Sequence, residues 1–98
     1  MIEKKDDLKK RLVDTFEDLL STPPQRAYLF RTRCERSFIG VSSYADQIGD
    51  ETLKTLADNS RQKLIDAVDK SISMSDGMLR SYKMLSEDIK QIITYLAA

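Results

Sequence analysis

Histidine is absent from this 98-residue sequence, and its absence excludes more chemistry than any other feature. It removes the commonest general base and the usual ligand of zinc, haem and copper. A serine or cysteine triad is impossible, and so are the Glu-x-x-His di-iron sites of helical bundles. The three glycines stand alone, at positions 40, 49 and 77, so the sequence has no glycine-rich phosphate loop. We therefore expect no metal, no cofactor and no enzymatic activity.

Cysteine occurs once, at Cys34, so no internal disulfide can form. A single unpaired cysteine favours a reducing compartment. The first seven residues are highly charged and lack the apolar stretch of a secretory signal, and no apolar run approaches the roughly 20 residues that a membrane span needs. We therefore expect a cytoplasmic protein without a membrane partner.

Excess charge of either sign is also lacking, since 16 basic and 16 acidic residues give a net charge of zero. Any attraction to nucleic acid must therefore come from a local patch. Acidic residues cluster on the first helix (Asp14, Glu17, Asp18) and between the second and third (Asp46, Asp50, Glu51). We interpret these clusters as solvated surfaces and as charges that favour the N-termini of helices.

Glycine and proline, at three and two residues, are too few for the turns of an all-β fold. The composition of 41% apolar and 33% charged residues argues against disorder, and the length suits a single domain over residues 1–98. Apolar residues recur every three or four positions over about residues 3–20, 23–48, 51–74 and 78–97. We predict an all-α fold, an antiparallel helical bundle of three or four amphipathic helices.

The apolar stripes predict which side chains form the core. On the first two helices they are Leu8, Leu12, Val13, Phe16, Leu19 and Leu20, then Ala27, Phe30, Cys34, Phe38 or Ser37, Val41, Ala45 and Ile48. On the last two they are Leu53, Leu56, Ala57, Leu64, Ile65, Val68 and Ile72, then Leu79, Tyr82, Leu85, Ile89, Ile92, Ile93 and Leu96. Because Cys34 lies on a stripe, we predict a buried structural thiol.

The second helix has the clearest end signals. Thr22 is a suitable N-cap, Pro23 suits the first helical position, and Gln25 completes a capping box. Gly49 can close the helix in the left-handed conformation, and Asp50 can cap the next one.

Two later positions leave alternatives open. The third stripe is interrupted over residues 58–63, either by a kink capped by Ser60 or within one irregular continuous helix, which we favour. The turn residues from Ser73 to Gly77 suggest a break, but the apolar phase continues through them, so the last two helices can also be one long helix.

Two groups of residues are candidates for binding a partner. Arginines at positions 26, 31, 33 and 36 form the densest basic cluster, and their planar guanidinium groups suit carboxylate or phosphate. By helical spacing Arg26 and Arg33 share a face. Apolar residues in excess of the core stripes include Leu29 and form a second group, and methionine and tyrosine are favoured at interfaces.

We expect a non-enzymatic protein–protein interaction module, such as an adaptor, chaperone, regulator or inhibitor, that binds another protein or a second copy as a homodimer. The alternative is nucleic-acid or nucleotide binding through the arginines. The predicted binding residues lie on the second and fourth helices: Arg26, Tyr28, Arg31, Arg33, Arg36, Ile39, Tyr44, Met84 and Tyr95.

Overall fold

The computed structural model describes residues 5–97, and its four helices pack against one another. These helices are α1 (Lys5–Ser21), α2 (Arg31–Ile48), α3 (Glu51–Ser73) and α4 (Met78–Ala97), with a 3₁₀ segment (Pro24–Phe30) before α2. No strand occurs within the described residues, so the all-α prediction is confirmed. The predicted start of the first helix at residue 3 lies outside these residues.

The helices form a four-membered ring. Each of α1 and α3 packs against both α2 and α4, whereas the backbones of the diagonal pairs lie farther apart across the core. Side-chain pairs show that α2 and α3 run antiparallel. Asp46, late in α2, pairs with Lys54, early in α3, whereas Glu35, early in α2, pairs with Arg61 farther along α3. None of these helices, over the residues described, is long and apolar enough to cross a bilayer.

The predicted core is largely confirmed, with exceptions at the helix ends. Leu20, Ile48, Ile72 and Leu79 were expected to face the core, but between 53% and 68% of each is exposed. All four lie within two residues of a helix end. Ile65 was also expected in the core, but it is 39% exposed and lies in the interior of α3.

Small polar side chains are buried where helices approach closely. They are Thr15, Ser37, Ser60, Ser71 and Ser81. Four of them are hydrogen-bonded, and Ser60 donates to the carbonyl of Leu56 instead of capping a helix, so α3 is continuous as predicted. Val13, Phe16, Leu56 and Ile93 are half-buried. The sequence pattern left open whether Phe38 or Ser37 belongs to the core, and both side chains are buried.

The prediction of one helix over residues 23–48 was wrong in its first part. The chain forms the 3₁₀ segment there, Arg26 has non-helical angles (φ −116°, ψ 21°), and α2 begins only at Arg31. Pro23 is extended (ψ 145°), as expected of a residue before proline. Thr22 forms no capping box, because its hydroxyl donates to the carbonyl of Asp18 and so completes α1.

The 3₁₀ segment crosses one end of the bundle and contacts all four helices. Its buried residues, Ala27 and Phe30, close that end of the core. At the other end, Gly49 is left-handed (φ 72°), and the carboxylate of Asp50 accepts a hydrogen bond from the Leu53 amide at 3.0 Å, as predicted. The break between the last two helices is resolved, because Met74 (φ 53°) and Gly77 (φ 84°) are left-handed and α4 starts at Met78.

Candidate functional sites

The arginine cluster predicted from the sequence divides in the structure. Arg33 and Arg36 lie on the side of α2 that adjoins α1, where they line a surface groove with Arg11. Arg26 and Arg31 do not line it. The helical spacing that related Arg26 to Arg33 does not apply, because the backbone between them is not one α-helix.

This arginine-lined groove consists of two adjoining hollows of about 510 and 460 Å³ between α1 and α2. Both hollows contain Arg11 and Arg36. The remaining lining of the larger one is Leu29, Thr32 and Arg33. The remaining lining of the smaller one is Ile39, Gly40, Ser43, Tyr44 and Gln47. Neither hollow is lined by an acidic side chain, and the carboxylate of Asp18 pairs with Arg33 beside the larger hollow.

A buried pair of hydroxyls fixes the position of α1 on α2 beneath this groove. The Oγ1 of Thr15 lies 3.0 Å from the Oγ of Ser37, and each hydroxyl is also within reach of the carbonyl one turn back on its own helix, that of Arg11 or Arg33. One hydroxyl donates to the other, which then donates to its carbonyl. The pair therefore holds the turns that carry Arg11 and Arg33 in a fixed register.

A second surface feature, the apolar groove, lies between the C-terminal half of α1 and α4. It encloses about 690 Å³. Its apolar lining is Phe16, Leu19, Leu20, Pro23, Pro24, Leu79 and Tyr82. Its polar lining is Ser21, Thr22, Lys83, Ser86, Glu87 and Lys90. Sequence reasoning missed this groove because it placed Leu20 and Leu79 in the core. The available signal was that both leucines adjoin turn residues.

Tyr82 holds the helices that form the apolar groove together. Its hydroxyl is within hydrogen-bond distance of the Leu19 and Thr22 carbonyls at the C-terminal end of α1. Its ring packs on Phe30 of the 3₁₀ segment, with ring centroids 5.9 Å apart. Burial raises the pKa of Tyr82 to about 12, so the phenol keeps its proton well above neutral pH.

The predicted apolar binding residues do not form one surface. Ile39 and Tyr44 lie together in the smaller hollow of the arginine-lined groove. Met84, 40% exposed, and Tyr28, 49% exposed, line neither groove. The hydroxyl of Tyr95 donates to Asp50 at 2.7 Å, and Tyr95 lines a third hollow, of about 310 Å³, together with Tyr44.

That hydrogen bond links the C-terminal part of α4 to the start of α3. The bond from the Leu53 amide, and then that from Tyr95, lowers the pKa of Asp50, while the bond to Asp50 raises the pKa of Tyr95. A structural role at the α2–α3 junction accounts for both side chains.

The thiol of Cys34 is buried, as predicted from its place on the apolar stripe. Burial, with a smaller contribution from the neighbouring Glu35 charge, raises its pKa to about 12. The thiolate needed for nucleophilic attack is therefore absent at neutral pH. Within residues 5–97, no three acidic or thiol side chains are grouped so that they could hold a metal ion.

Comparison of this chain with protein-family models, curated proteins and solved structures finds no match. The two grooves are therefore the basis for inferring function.

Proposed function

We propose that this bundle is a non-enzymatic protein-interaction module that binds an amphipathic helix of a partner protein in the apolar groove. One observation carries the proposal: Leu20 of α1 and Leu79 of α4 line the same groove with 65% and 68% of their surfaces exposed. A single exposed leucine needs no explanation. A groove with an exposed leucine on each of two helices is the kind of apolar surface that binds partners.

The shape of the groove suits a helix. Its lining on α4 extends from Leu79 to Lys90, which is about 16 Å or three helical turns at 1.5 Å per residue. Helices bind in such grooves by inserting apolar residues spaced three, four and seven apart. Tyr82 and the two prolines line the groove, and their restricted side chains leave little to rearrange when a ligand binds.

The charges at the rim indicate an acidic partner. Lys83 and Lys90 are seven residues apart on α4, so they lie on the same side of the helix about 10 Å apart. Glu87 lies between them, and none of the three forms an ion pair with another described residue. The rim is therefore positive overall, which favours a helix with acidic residues two turns apart.

The apolar groove lies on α1 and α4, whereas the binding surface predicted from the sequence lay on the second and fourth helices. Met84 and Tyr95, the residues predicted on the fourth helix, are outside the groove. Leu79 and the two lysines take their place.

A synthetic amphipathic peptide of about 18 residues, with leucines along one face and glutamates seven apart, tests the proposal by NMR chemical-shift mapping. We expect shifts centred on Leu20, Leu79 and Lys83. Leu79→Ser should weaken binding by about tenfold, because each largely exposed leucine that becomes buried contributes about 1–2 kcal/mol. Ile48→Ser, which removes an apolar residue that is 53% exposed at the opposite end, should leave binding unchanged.

Two results would contradict the proposal. One is that the glutamate peptide and a matched lysine peptide bind equally, or shift residues outside the groove. The other is that light scattering gives twice the 11.2 kDa mass of the chain and Leu79→Ser restores the single-chain mass. A second copy, and not a partner helix, would then occupy the groove, as in the homodimer expected from the sequence.

A further inference from the structure

We propose that the arginine-lined groove is a second, independent binding site, which takes a small polyphosphate ester such as a nucleotide. The chain as a whole has no net charge. Folding brings Arg11 of α1 beside Arg33 and Arg36 of α2 and so concentrates basic side chains in this groove. Guanidinium groups bind phosphate through paired hydrogen bonds, which makes arginine the side chain best suited to this ligand.

Arg36 is the centre of the proposed site. It lines both hollows, is exposed, and forms no ion pair with any described residue. Arg33 pairs with Asp18, but the arginine and aspartate side chains are 66% and 33% exposed. Such exposed pairs contribute little to stability, so Arg33 can exchange this partner for a phosphate at low cost.

The two hollows differ in a way that matches the two parts of a nucleotide. The larger one has the three arginines and the Thr32 hydroxyl, which suit phosphate oxygens. The smaller one adds Ile39 and the ring of Tyr44, with Ser43 and Gln47 as hydrogen-bonding groups, which suit a base or another planar ring. Since Arg11 and Arg36 belong to both, one ligand can span them.

The site is held in place before any ligand binds. The hydroxyl pair of Thr15 and Ser37 fixes α1 against α2 at the level of the groove. The backbone turns that carry Arg11 and Arg33 therefore need not move, and a ligand has to order only the arginine side chains.

Isothermal titration calorimetry of the full chain with ATP, tripolyphosphate and adenosine tests the site, because it separates the phosphates from the base. We expect ATP to bind more tightly than tripolyphosphate, and adenosine to bind least. Arg36→Gln should weaken ATP binding by at least about tenfold, because hydrogen bonds between charged groups are among the strongest in proteins. Arg31→Gln is the matched control: it makes the same charge change outside the groove and should have no effect.

Asp18→Asn provides a test in the opposite direction. It removes a negative charge beside Arg33 without removing an arginine, so we expect tighter ATP binding. Circular dichroism of each variant confirms that it remains folded.

Three results would overturn the proposal: no heat with ATP, equal weakening by Arg36→Gln and Arg31→Gln, or equal affinities for ATP and tripolyphosphate. The last would show an anion site that does not bind the base. Leu79→Ser should leave ATP binding unchanged, so the two proposed sites can fail separately.

Discussion

Replacing Tyr82 by phenylalanine removes one hydroxyl and keeps the ring, so it isolates the hydrogen bonds that join α4 to the end of α1. The hydroxyl donates its single proton to either of two carbonyls within hydrogen-bond distance, those of Leu19 and Thr22. Leu19 retains a weak bond from the Thr22 amide at 3.4 Å, and Thr22 is only half-buried, so water can partly replace the lost donor. Leaving a buried acceptor without its donor costs roughly 1–3 kcal/mol, and the partial replacement places this loss in the lower half of that range, at about 1.5 kcal/mol.

For a chain of this length, a loss of about 1.5 kcal/mol corresponds to a fall in Tm of about 7 °C. Urea unfolding at neutral pH, followed by circular dichroism, measures the free energy directly. The dependence on urea should stay the same, because the surface exposed on unfolding is unchanged. Tyr95→Phe is the control: it removes an exposed hydrogen bond to Asp50, and we expect a much smaller loss of stability than for Tyr82→Phe.

The pH dependence gives a second test of the same reasoning. The pKa of Tyr82 is raised from 10.0 to about 12 in the folded protein. Its contribution to stability is therefore complete below pH 10 and is lost as the pH rises towards 12. The difference in stability between wild type and Tyr82→Phe should shrink above pH 10. A constant difference, or a loss equal to that of Tyr95→Phe, would refute the structural role of this hydroxyl.

Three further predictions follow from the helix junctions and the core. Cys34→Ala should make stability decline less steeply above pH 9, measured by urea unfolding on both sides of pH 9. Burial raises the pKa of the Cys34 thiol from 9.0 to about 12, so the wild-type protein loses the stability contributed by this thiol as the pH rises through that interval. Gly77→Ala should lower stability by about 1 kcal/mol in thermal melts, since φ is 84° there; a gain would mean that the helix is continuous. Asp50→Ala should lower the free energy of unfolding, because it removes the N-cap of α3. That difference should diminish in acid, because the pKa of Asp50 is lowered from 3.8 and its contribution is lost as the pH falls through the folded value; urea unfolding across the acid range measures it.

The features predicted correctly from the sequence are those that depend on neighbouring residues. Helical spacing determines which face of a helix is apolar, and the left-handed Gly49 with the cap of Asp50 depends on residues within one turn. The buried thiol of Cys34 followed from the same spacing.

The features missed depend on residues far apart in the chain. Thr22 was expected to begin a helix, but it follows the end of α1, and its carbonyl lies within hydrogen-bond distance of the Tyr82 hydroxyl, sixty residues later in the sequence. Arg11 joins the arginine-lined groove only because α1 packs beside α2. Leu20 and Leu79 belong to the apolar stripes of their helices but are exposed close to the helix ends, which spacing along one helix does not reveal.

The 3₁₀ segment has a consequence for the order in which this chain folds. Because the segment contacts all four helices, its full set of contacts exists only after the last helix has docked. The pairs α1–α2 and α3–α4 are close in sequence and can form early, whereas the contact of Phe30 with Tyr82 closes a long loop. Mutations of Ala27 or Phe30 should therefore mainly accelerate unfolding and leave the folding rate nearly unchanged. The end of the core that closes last during folding is then also the end that opens first.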